Sequence, residues 1–186
     1  MSAHKVNGFA IKADEQGAKL VDPSKVLISS RRNRMSDHEH ERSAALQRLD
    51  ALVGKWKVEL VFPGDSPFKA QTQASFEWLD DDRFFLVYRA GTPGSEFPVG
   101  HCIIGADDTM DSYTMLYSDS RGVARLYQMS LRDGVWQQWR DDPTFYQRFS
   151  ATFSEDGRTI KGSWENSEDG VNWKHDFDLT YTAWRR

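Results

Sequence analysis

Residues 147–181 read QRFSATFSEDGRTIKGSWENSEDGVNWKHDFDLTY, and this stretch decides the fold. Apolar and polar residues alternate along three segments, which are separated by Asp-Gly pairs at 156–157 and 169–170. Alternation with a period of two indicates half-buried β-strands, and Asp-Gly is typical of two-residue hairpin turns. The stretch therefore predicts two consecutive β-hairpins that share their middle strand.

The two turns also predict which residues face one another. A two-residue turn at the first Asp-Gly pair places Phe149 opposite Trp164, and one at the second places Trp164 opposite His175. On the outer face the first register pairs Arg148 with Glu165, an arrangement in which opposite charges stabilise the hairpin. His175 is therefore predicted to lie on an inward, aromatic face.

The same pattern continues upstream as short strands separated by turns rich in Gly, Pro and Asp. A third Asp-Gly pair, at 133–134, predicts a hairpin with Leu131 opposite Trp136. The predicted strands are 55–62, 69–79, 83–90, 98–105, 111–118, 122–132, 135–140, 144–154, 158–166 and 171–183. Because closure removes the exposed edges of so long a meander, the predicted fold class is all-β, a ten-stranded antiparallel up-and-down β-barrel.

One helix is predicted before the barrel. Ser36 and Glu39 have the spacing of a capping box, and Leu49 and Leu52 belong to an apolar stripe at helical spacing. A glycine directly after this stripe ends the helix, which is predicted to span 38–53 and to pack against the sheet.

The length of 186 residues indicates one main domain, predicted as 36–186, preceded by a flexible leader over 1–35. The leader holds seven Lys/Arg and three Asp/Glu and shows no sustained periodicity. Residues 1–34 are also a candidate segment for assembly, so a homodimer is an open alternative.

Composition excludes several classes of function. The net charge is −4 although the leader is basic, so the main domain is acidic and nucleic acid is not an expected partner. Cys102 is the only cysteine, which excludes an intrachain disulfide, and no metal site is predicted. No apolar run reaches the roughly 20 residues of a membrane span, and no signal peptide is recognisable. We therefore expect no membrane partner and a cytoplasmic protein.

The predicted registers place several polar and aromatic side chains inside the barrel. The candidate ligand-binding residues are Tyr127, Gln138, Arg140, Gln147, Phe149, Trp164, Asn166, Trp173, His175, Arg125 and Arg89. A buried amide without a partner costs about 1–3 kcal/mol, and an unpaired buried charge costs more. For any one of them the simpler interpretation is internal pairing, with arginines bound to Asp119, Asp141 or Asp142 at the rim. For the whole group, a solvated cavity that holds a ligand is favoured.

His175 has two interpretations. A single histidine on an apolar face is usually a core or rim residue with a hydrogen-bond partner. Alternatively, the imidazole is the titratable group of a pocket, and it is then the one candidate catalytic residue. Motifs for a nucleophile elbow, a P-loop and dinucleotide binding are absent.

Several segments resemble a known group of proteins. Gly54-Lys55-Trp56, directly after the predicted helix, resembles the start of calycin barrels, in which the Trp packs across one barrel end. Residues 46–186 resemble uncharacterised bacterial calycin-like (lipocalin-like) proteins, and that group is similar to nitrobindin-type barrels. The segments that carry this resemblance are Tyr117–Val123, Trp139–Asp141, Gln147–Phe149 and Trp164–Trp173. It implies a barrel fold and a haem held by a late histidine, for which His175 is the matching position.

Three functional hypotheses follow. The first is a binding protein that holds a small apolar or aromatic molecule inside the barrel, with amides and Arg140 orienting a carbonyl or carboxylate. The second is a cyclase- or isomerase-type enzyme that uses His175 as an acid or base. The third is haem binding through His175; apart from haem, no cofactor is predicted.

Overall fold

The computed structural model describes residues 5–6, 9–10, 42–79, 81, 83–92, 94, 97–107 and 110–184. The chain divides into two units, Met1–Glu39 and His40–Arg186. In the first unit, β1 (Lys5–Val6) and β2 (Phe9–Ala10) form a short antiparallel ladder. The rest of the predicted leader, and the predicted capping box of Ser36 and Glu39, lie outside the described residues.

The second unit is a closed barrel of ten antiparallel strands, as the sequence predicts. The strands are β3 (Gly54–Phe62), β4 (Phe68–Trp78), β5 (Phe85–Ala90), β6 (Gly100–Ala106), β7 (Tyr113–Asp119), β8 (Ala124–Arg132), β9 (Val135–Arg140), β10 (Tyr146–Phe153), β11 (Thr159–Ser167) and β12 (Lys174–Ala183). Each pairs with its neighbours in the chain, and β12 closes the barrel against β3, with Tyr181 opposite Val58. Closure leaves no free sheet edge in the barrel.

Two of the three predicted hairpin registers are confirmed. In β8–β9 Leu131 lies opposite Trp136, and both turn residues, Asp133 and Gly134, have positive φ, as a type I′ turn requires. In β10–β11 Phe149 lies opposite Trp164. The predicted outer pair of this hairpin forms as well, since the side chains of Arg148 and Glu165 meet at 2.6 Å.

The predicted register of β11–β12 is wrong. Trp164 lies opposite Phe177, not His175, and His175 lies opposite Glu165. A β-bulge leaves Asp176 without a partner across the ladder. The residues of β12 that precede it therefore point to the side of the sheet opposite to the one that simple alternation predicts. The connection between the strands is a six-residue loop, 168–173, where a two-residue turn was predicted.

Side-chain hydrogen bonds explain the longer loop. The Asp169 carboxylate accepts bonds from the backbone N–H groups of Val171 and Asn172, at 2.9 and 2.7 Å. The Ser167 hydroxyl accepts a bond from the Gly170 N–H at 2.9 Å. Such local bonds offer the backbone an alternative to the sheet ladder, and here they replace the tight turn.

The helix is shorter than predicted. The side chain of Ser43 caps the start of α1 (Ala44–Arg48), and a 3₁₀ turn over Leu49–Ala51 follows, so the described part of the predicted 38–53 helix begins at Ala44. Leu49 and Leu52 are fully buried. No helix among the described residues is long and apolar enough to cross a membrane.

This helical segment closes one end of the barrel, which we call the closed end. The indole N–H of Trp56 donates to the Leu52 carbonyl at 2.9 Å, and the Tyr113 hydroxyl donates to the Ala45 carbonyl at 2.7 Å. Trp56 is buried at this end, where the resemblance to calycins places it. At the opposite end, which we call the mouth, the strands are joined by the loops 63–67, 91–99, 120–123, 141–145 and 168–173.

Candidate ligand-binding cavity

A cavity of about 520 Å³ lies inside the barrel. All ten strands contribute side chains to its lining, and loop residues such as Phe97, Arg121 and Phe145 line it at the mouth. A volume of this size falls within the usual range for small-molecule pockets. The inward-facing residues, every second one along each strand, thus surround a chamber that side chains do not fill.

Aromatic rings form much of the cavity wall. Phe149 packs against Trp164 and Trp136, with ring centroids 5.0 and 5.1 Å apart. Tyr127 meets Trp164 edge to face at 5.9 Å. Since these residues occupy inward positions on four successive strands, the confirmed registers of β8–β9 and β10–β11 bring them together. The wall is rigid and apolar, with polar groups at a few points.

The polar groups at the inner, closed-end side of the cavity are neutral. The hydroxyls of Tyr88 and Tyr181 lie 3.4 Å apart. Burial raises the pKa of Tyr181 to about 12 and that of Tyr88 well above its ordinary value, and burial also raises the pKa of the Cys102 thiol to about 12. All three groups therefore stay protonated at neutral pH.

Two further polar atoms of the wall lack a partner. The Thr72 hydroxyl oxygen and the Trp136 indole nitrogen are buried without a hydrogen bond to any described residue. Such groups are rare in folded proteins because each carries a desolvation penalty of about 1–3 kcal/mol. Their presence in the wall is consistent with a chamber that holds something besides protein.

A second polar group lies nearer the mouth. The Tyr127 hydroxyl donates to the side-chain carbonyl of Gln147 at 2.6 Å. This bond directs the amide oxygen of Gln147 to Tyr127 and leaves its N–H₂ group as a donor. Burial raises the pKa of Tyr127, and the nearby Arg125 guanidinium partly opposes that shift. Gln138, with only 5% exposed, adds another amide to the lining.

At the mouth, Asp119 holds the loop that follows β7. Its side chain is fully buried, and it accepts bonds from the Tyr117 hydroxyl at 2.7 Å and from Arg121 Nη2 at 2.6 Å. The backbone N–H of Arg121 binds the same carboxylate at 2.9 Å. These donors, Arg121 first, hold the pKa of Asp119 well below its usual range. Arg121 is thus fixed at the rim with its charge largely compensated.

Two further arginines organise the loop between β9 and β10. Arg140 pairs with Asp142 at 2.9 Å and donates to the Phe145 carbonyl at 2.6 Å, which confirms the predicted rim pairing for this arginine. The Phe145 ring then lies against the Arg125 guanidinium, 4.3 Å from the ring centroid. Arg125 lines the cavity and forms no salt bridge with a described residue.

His175 lies on the outer surface, contrary to the prediction. Its side chain is 42% exposed, and Nε2 lies 2.9 Å from a carboxylate oxygen of Asp178. Asp176, the bulged residue, lines the cavity instead. The physical reason is the bulge, which reverses the facing of the strand between positions 175 and 177.

The residues present do not fit a haem bound inside the barrel through His175. The imidazole is outside, and no histidine occurs among the described residues that line the cavity. Axial ligation by histidine needs an imidazole that faces the haem iron.

The other predicted site residues divide into two groups. Those that line the cavity are Tyr127, Gln138, Gln147, Phe149, Trp164 and Arg125. Arg89 was predicted inside but is on the outer face, 3.7 Å from Glu77, because Leu86 and Tyr88 take the inward positions of β5. Trp173 lies in the long loop with Arg148 4.1 Å above its ring, and neither Arg140 nor Asn166 lines the cavity.

Several lining residues were missed by sequence reasoning. Tyr181 has the predicted inward parity of Phe177 and Leu179, so the period-two pattern could have identified it. Tyr88 has the opposite parity to Arg89, so the choice of Arg89 on β5 excluded it. Tyr117 and Arg121 are separated by an even number of positions, a signal that inward parity continues to the rim. Asp119 between them was named only as a possible rim partner of an arginine, and it binds both. Asp176 had no such signal, since a bulge is not visible in alternation.

Comparison with known proteins supports the fold only. No protein-family model matches this chain, and no curated protein matches it either. Among solved structures, the chain is similar to the crystal structure of Rv2717c from M. tuberculosis, with a TM-score of 0.54 at 14% sequence identity. The alignment covers 77% of this chain and 99% of that chain. The calycin-like assignment therefore stays a prediction.

Proposed function

We propose that this protein binds one small, mainly apolar or aromatic molecule inside its barrel. The observation that carries the proposal is the cavity of about 520 Å³ with a wall of packed aromatic rings. Transfer of apolar surface from water into such a chamber contributes roughly 25 cal/mol per Å².

The rigidity of the site supports the proposal. Strands that are hydrogen-bonded on both sides supply most of the lining, so little ordering accompanies binding. The neutral hydroxyls of Tyr88 and Tyr181 and the amides of Gln138 and Gln147 give the apolar chamber a few polar contacts. A few fixed polar groups in an apolar cavity orient a ligand and select it.

The enzymatic alternative has no supporting observation. It relied on His175 as an acid or base inside the barrel, and this imidazole lies outside the cavity lining. The titratable groups deep in the chamber are two tyrosines and a cysteine whose pKa values are raised by burial, which disfavours their acting as bases at neutral pH.

The test uses N-phenyl-1-naphthylamine, a neutral aromatic probe whose fluorescence rises in apolar surroundings. Trp136 and Trp164 line the cavity, so a probe bound there accepts their excitation energy. We expect saturable binding of one probe per chain with a dissociation constant on the order of micromolar.

Matched variants locate the probe. Ala90 lines the cavity, so Ala90→Phe is expected to fill part of it and to weaken binding at least about tenfold. Ala124 is exposed at the start of β8, so Ala124→Phe adds the same ring outside and should leave binding unchanged. Equal affinity of both variants and the wild type, with all three folded by circular dichroism, would show that the probe binds elsewhere and would contradict the proposal.

A further inference from the structure

We infer that the ligand carries a carboxylate, held at the mouth by Arg125 and the Gln147 amide, while its apolar body occupies the barrel. This inference rests on the proposed function and names the chemical class of the ligand. It predicts an amphipathic monocarboxylic acid that binds with one fixed orientation, its acid group toward the mouth.

Arg125 is a half-buried residue that lines the cavity. Its guanidinium lies 4.3 Å from the centroid of the Phe145 ring. Stacking on a ring covers one face of a guanidinium and leaves its N–H edge uncovered, and that edge matches the geometry of a carboxylate. The Arg125 side chain also interacts with the Tyr127 hydroxyl and opposes the rise in its pKa, so the two groups lie close together at the cavity wall. Because Arg125 forms no salt bridge with a described residue, its charge is available to a ligand.

A second hydrogen-bond donor lies beside Arg125. Arg125 and Tyr127 occupy successive inward positions on β8, and Tyr127 donates to the Gln147 carbonyl oxygen. Gln147 therefore presents N–H₂ to the cavity. The described groups at this point are donors, a guanidinium and an amide, which together suit an acceptor with two oxygens.

Charge is distributed unevenly around the mouth. Arg121 is compensated by Asp119, with 2.6 Å between the groups, so it adds little net positive charge. Asp176 also lines the cavity, but β12 lies four strands from β8 around the ten-stranded barrel, nearly opposite Arg125. Asp141 and Asp142 border a surface pocket together with Arg125, and Asp142 is paired with Arg140 at 2.9 Å. On the cavity side, an anionic group is attracted toward Arg125 and repelled from Asp176.

The charge also selects among anions. One uncompensated guanidinium neutralises one negative charge, whereas a phosphate monoester brings a charge of about −1.5 to −2 at neutral pH. The remaining charge would lie partly buried near Asp176, which is unfavourable. A carboxylate carries a single negative charge, which the one guanidinium of Arg125 neutralises.

The decisive experiment compares two probes of nearly the same shape, 1-naphthaleneacetic acid and the neutral 1-naphthaleneacetamide, by isothermal titration calorimetry. We expect the acid to bind the wild type about 10- to 100-fold more tightly, as befits a hydrogen bond to a charged group. Arg125→Met is expected to remove most of this preference while the amide still binds. Arg148→Met is the matched control, because Arg148 lies on the outer face of β10 and should leave the preference intact.

A second variant keeps the test decisive if Arg125→Met fails to fold. Gln147→Glu places a carboxylate beside Arg125, so it should weaken the acid about tenfold and leave the amide nearly unchanged. Equal binding of acid and amide to the wild type, or a preference that survives both variants, would overturn the carboxylate inference while the proposed function stands. Failure of both naphthalene probes while N-phenyl-1-naphthylamine still binds inside the barrel would overturn the carboxylate inference alone. Failure of all three probes to bind the wild type would contradict both proposals.

Discussion

The two ends of the barrel differ in the side chains that form them. At the closed end, the helical segment inserts Leu49 and Leu52, both with 0% exposure, between inward side chains such as Trp56. Salt bridges occur at both ends, since Arg42 pairs with Asp50 and Arg48 with Asp111 beside the helical segment. At the mouth, the pairs of Asp119 with Arg121 and of Arg140 with Asp142 hold loops that surround an opening. The difference is that buried apolar side chains fill the closed end, whereas the mouth leads into the cavity.

This difference separates stability from recognition. Packed apolar side chains contribute most per residue to the free energy of unfolding, and rim salt bridges contribute little unless they are buried. Fixed polar groups at an opening, on the other hand, can orient a ligand with little effect on the free energy of unfolding. We therefore expect substitutions at the closed end to affect unfolding and substitutions at the mouth to affect binding.

The largest effect on stability is expected for Leu49→Ala. Removal of three buried methyl and methine carbons at the closed end should lower the free energy of unfolding by about 2–5 kcal/mol, measured by urea denaturation. Leu116→Ala is the control, since Leu116 is 48% exposed on the outer face and should change stability by about 0.5 kcal/mol or less. Similar losses for both variants would refute the assignment of the core to the closed end.

The mouth contains one residue whose removal should also reduce stability, Asp119. Asp119→Asn keeps the shape but loses the charge that binds Tyr117 and Arg121, and it is expected to lower the free energy of unfolding by about 1.5–3 kcal/mol near neutral pH.

The contribution of Asp119 to the free energy of unfolding decreases as the pH falls. Because the pKa of Asp119 is lowered in the folded state, its contribution is complete above the unfolded pKa of about 3.9 and is lost as the pH falls toward the folded value. Urea denaturation of the wild type and Asp119→Asn over an acidic pH series should show the difference shrinking in that direction. A difference independent of pH would mean that the charge is not what matters.

A smaller loss is expected for Gly162→Ala, in the closed half of β11. An added Cβ would lie 2.5 Å from Ala151 Cβ and 2.6 Å from the Ser150 carbonyl oxygen, so backbone has to shift. We expect a decrease of about 1–3 kcal/mol in the free energy of unfolding. Gly105→Ala is the control, because its Cβ would meet only the exposed ring of Phe85, which can move aside.

The smallest effect is expected for His175→Ala. The imidazole is exposed and bonded to Asp178 on the outer face, so the variant should change stability by about 0.5 kcal/mol or less. Titration with N-phenyl-1-naphthylamine should give the wild-type affinity. A large loss of probe binding would return His175 to the site and contradict the observed register.

The sequence predicts the barrel because alternation and turn residues repeat along it. Asp133-Gly134 and Asp156-Gly157 fix two registers, and those registers bring Tyr127, Phe149 and Trp164 to one wall. The third register could not be obtained in this way, because the bonds made by Ser167 and Asp169 lengthen the loop. Apolar and polar residues still alternate after the loop, so the sequence pattern does not reveal that the register of β11–β12 has shifted.

The candidate site was only partly predictable for the same reason. Inward parity identifies Gln138 and Gln147 correctly, since no bulge interrupts β9 or β10. The bulge at Asp176 exchanges a histidine for an aspartate in the lining. Charges at the rim depend on loop conformation, so which arginine stays uncompensated becomes visible only in the structure.

A crystal structure of the protein soaked with 1-naphthaleneacetate tests the central claim most directly. We predict electron density for the naphthalene ring inside the barrel, in contact with Phe149 and Trp164, and for the carboxylate beside Arg125. Density for the ring outside the barrel, or an empty cavity at concentrations that saturate binding in solution, would contradict the account.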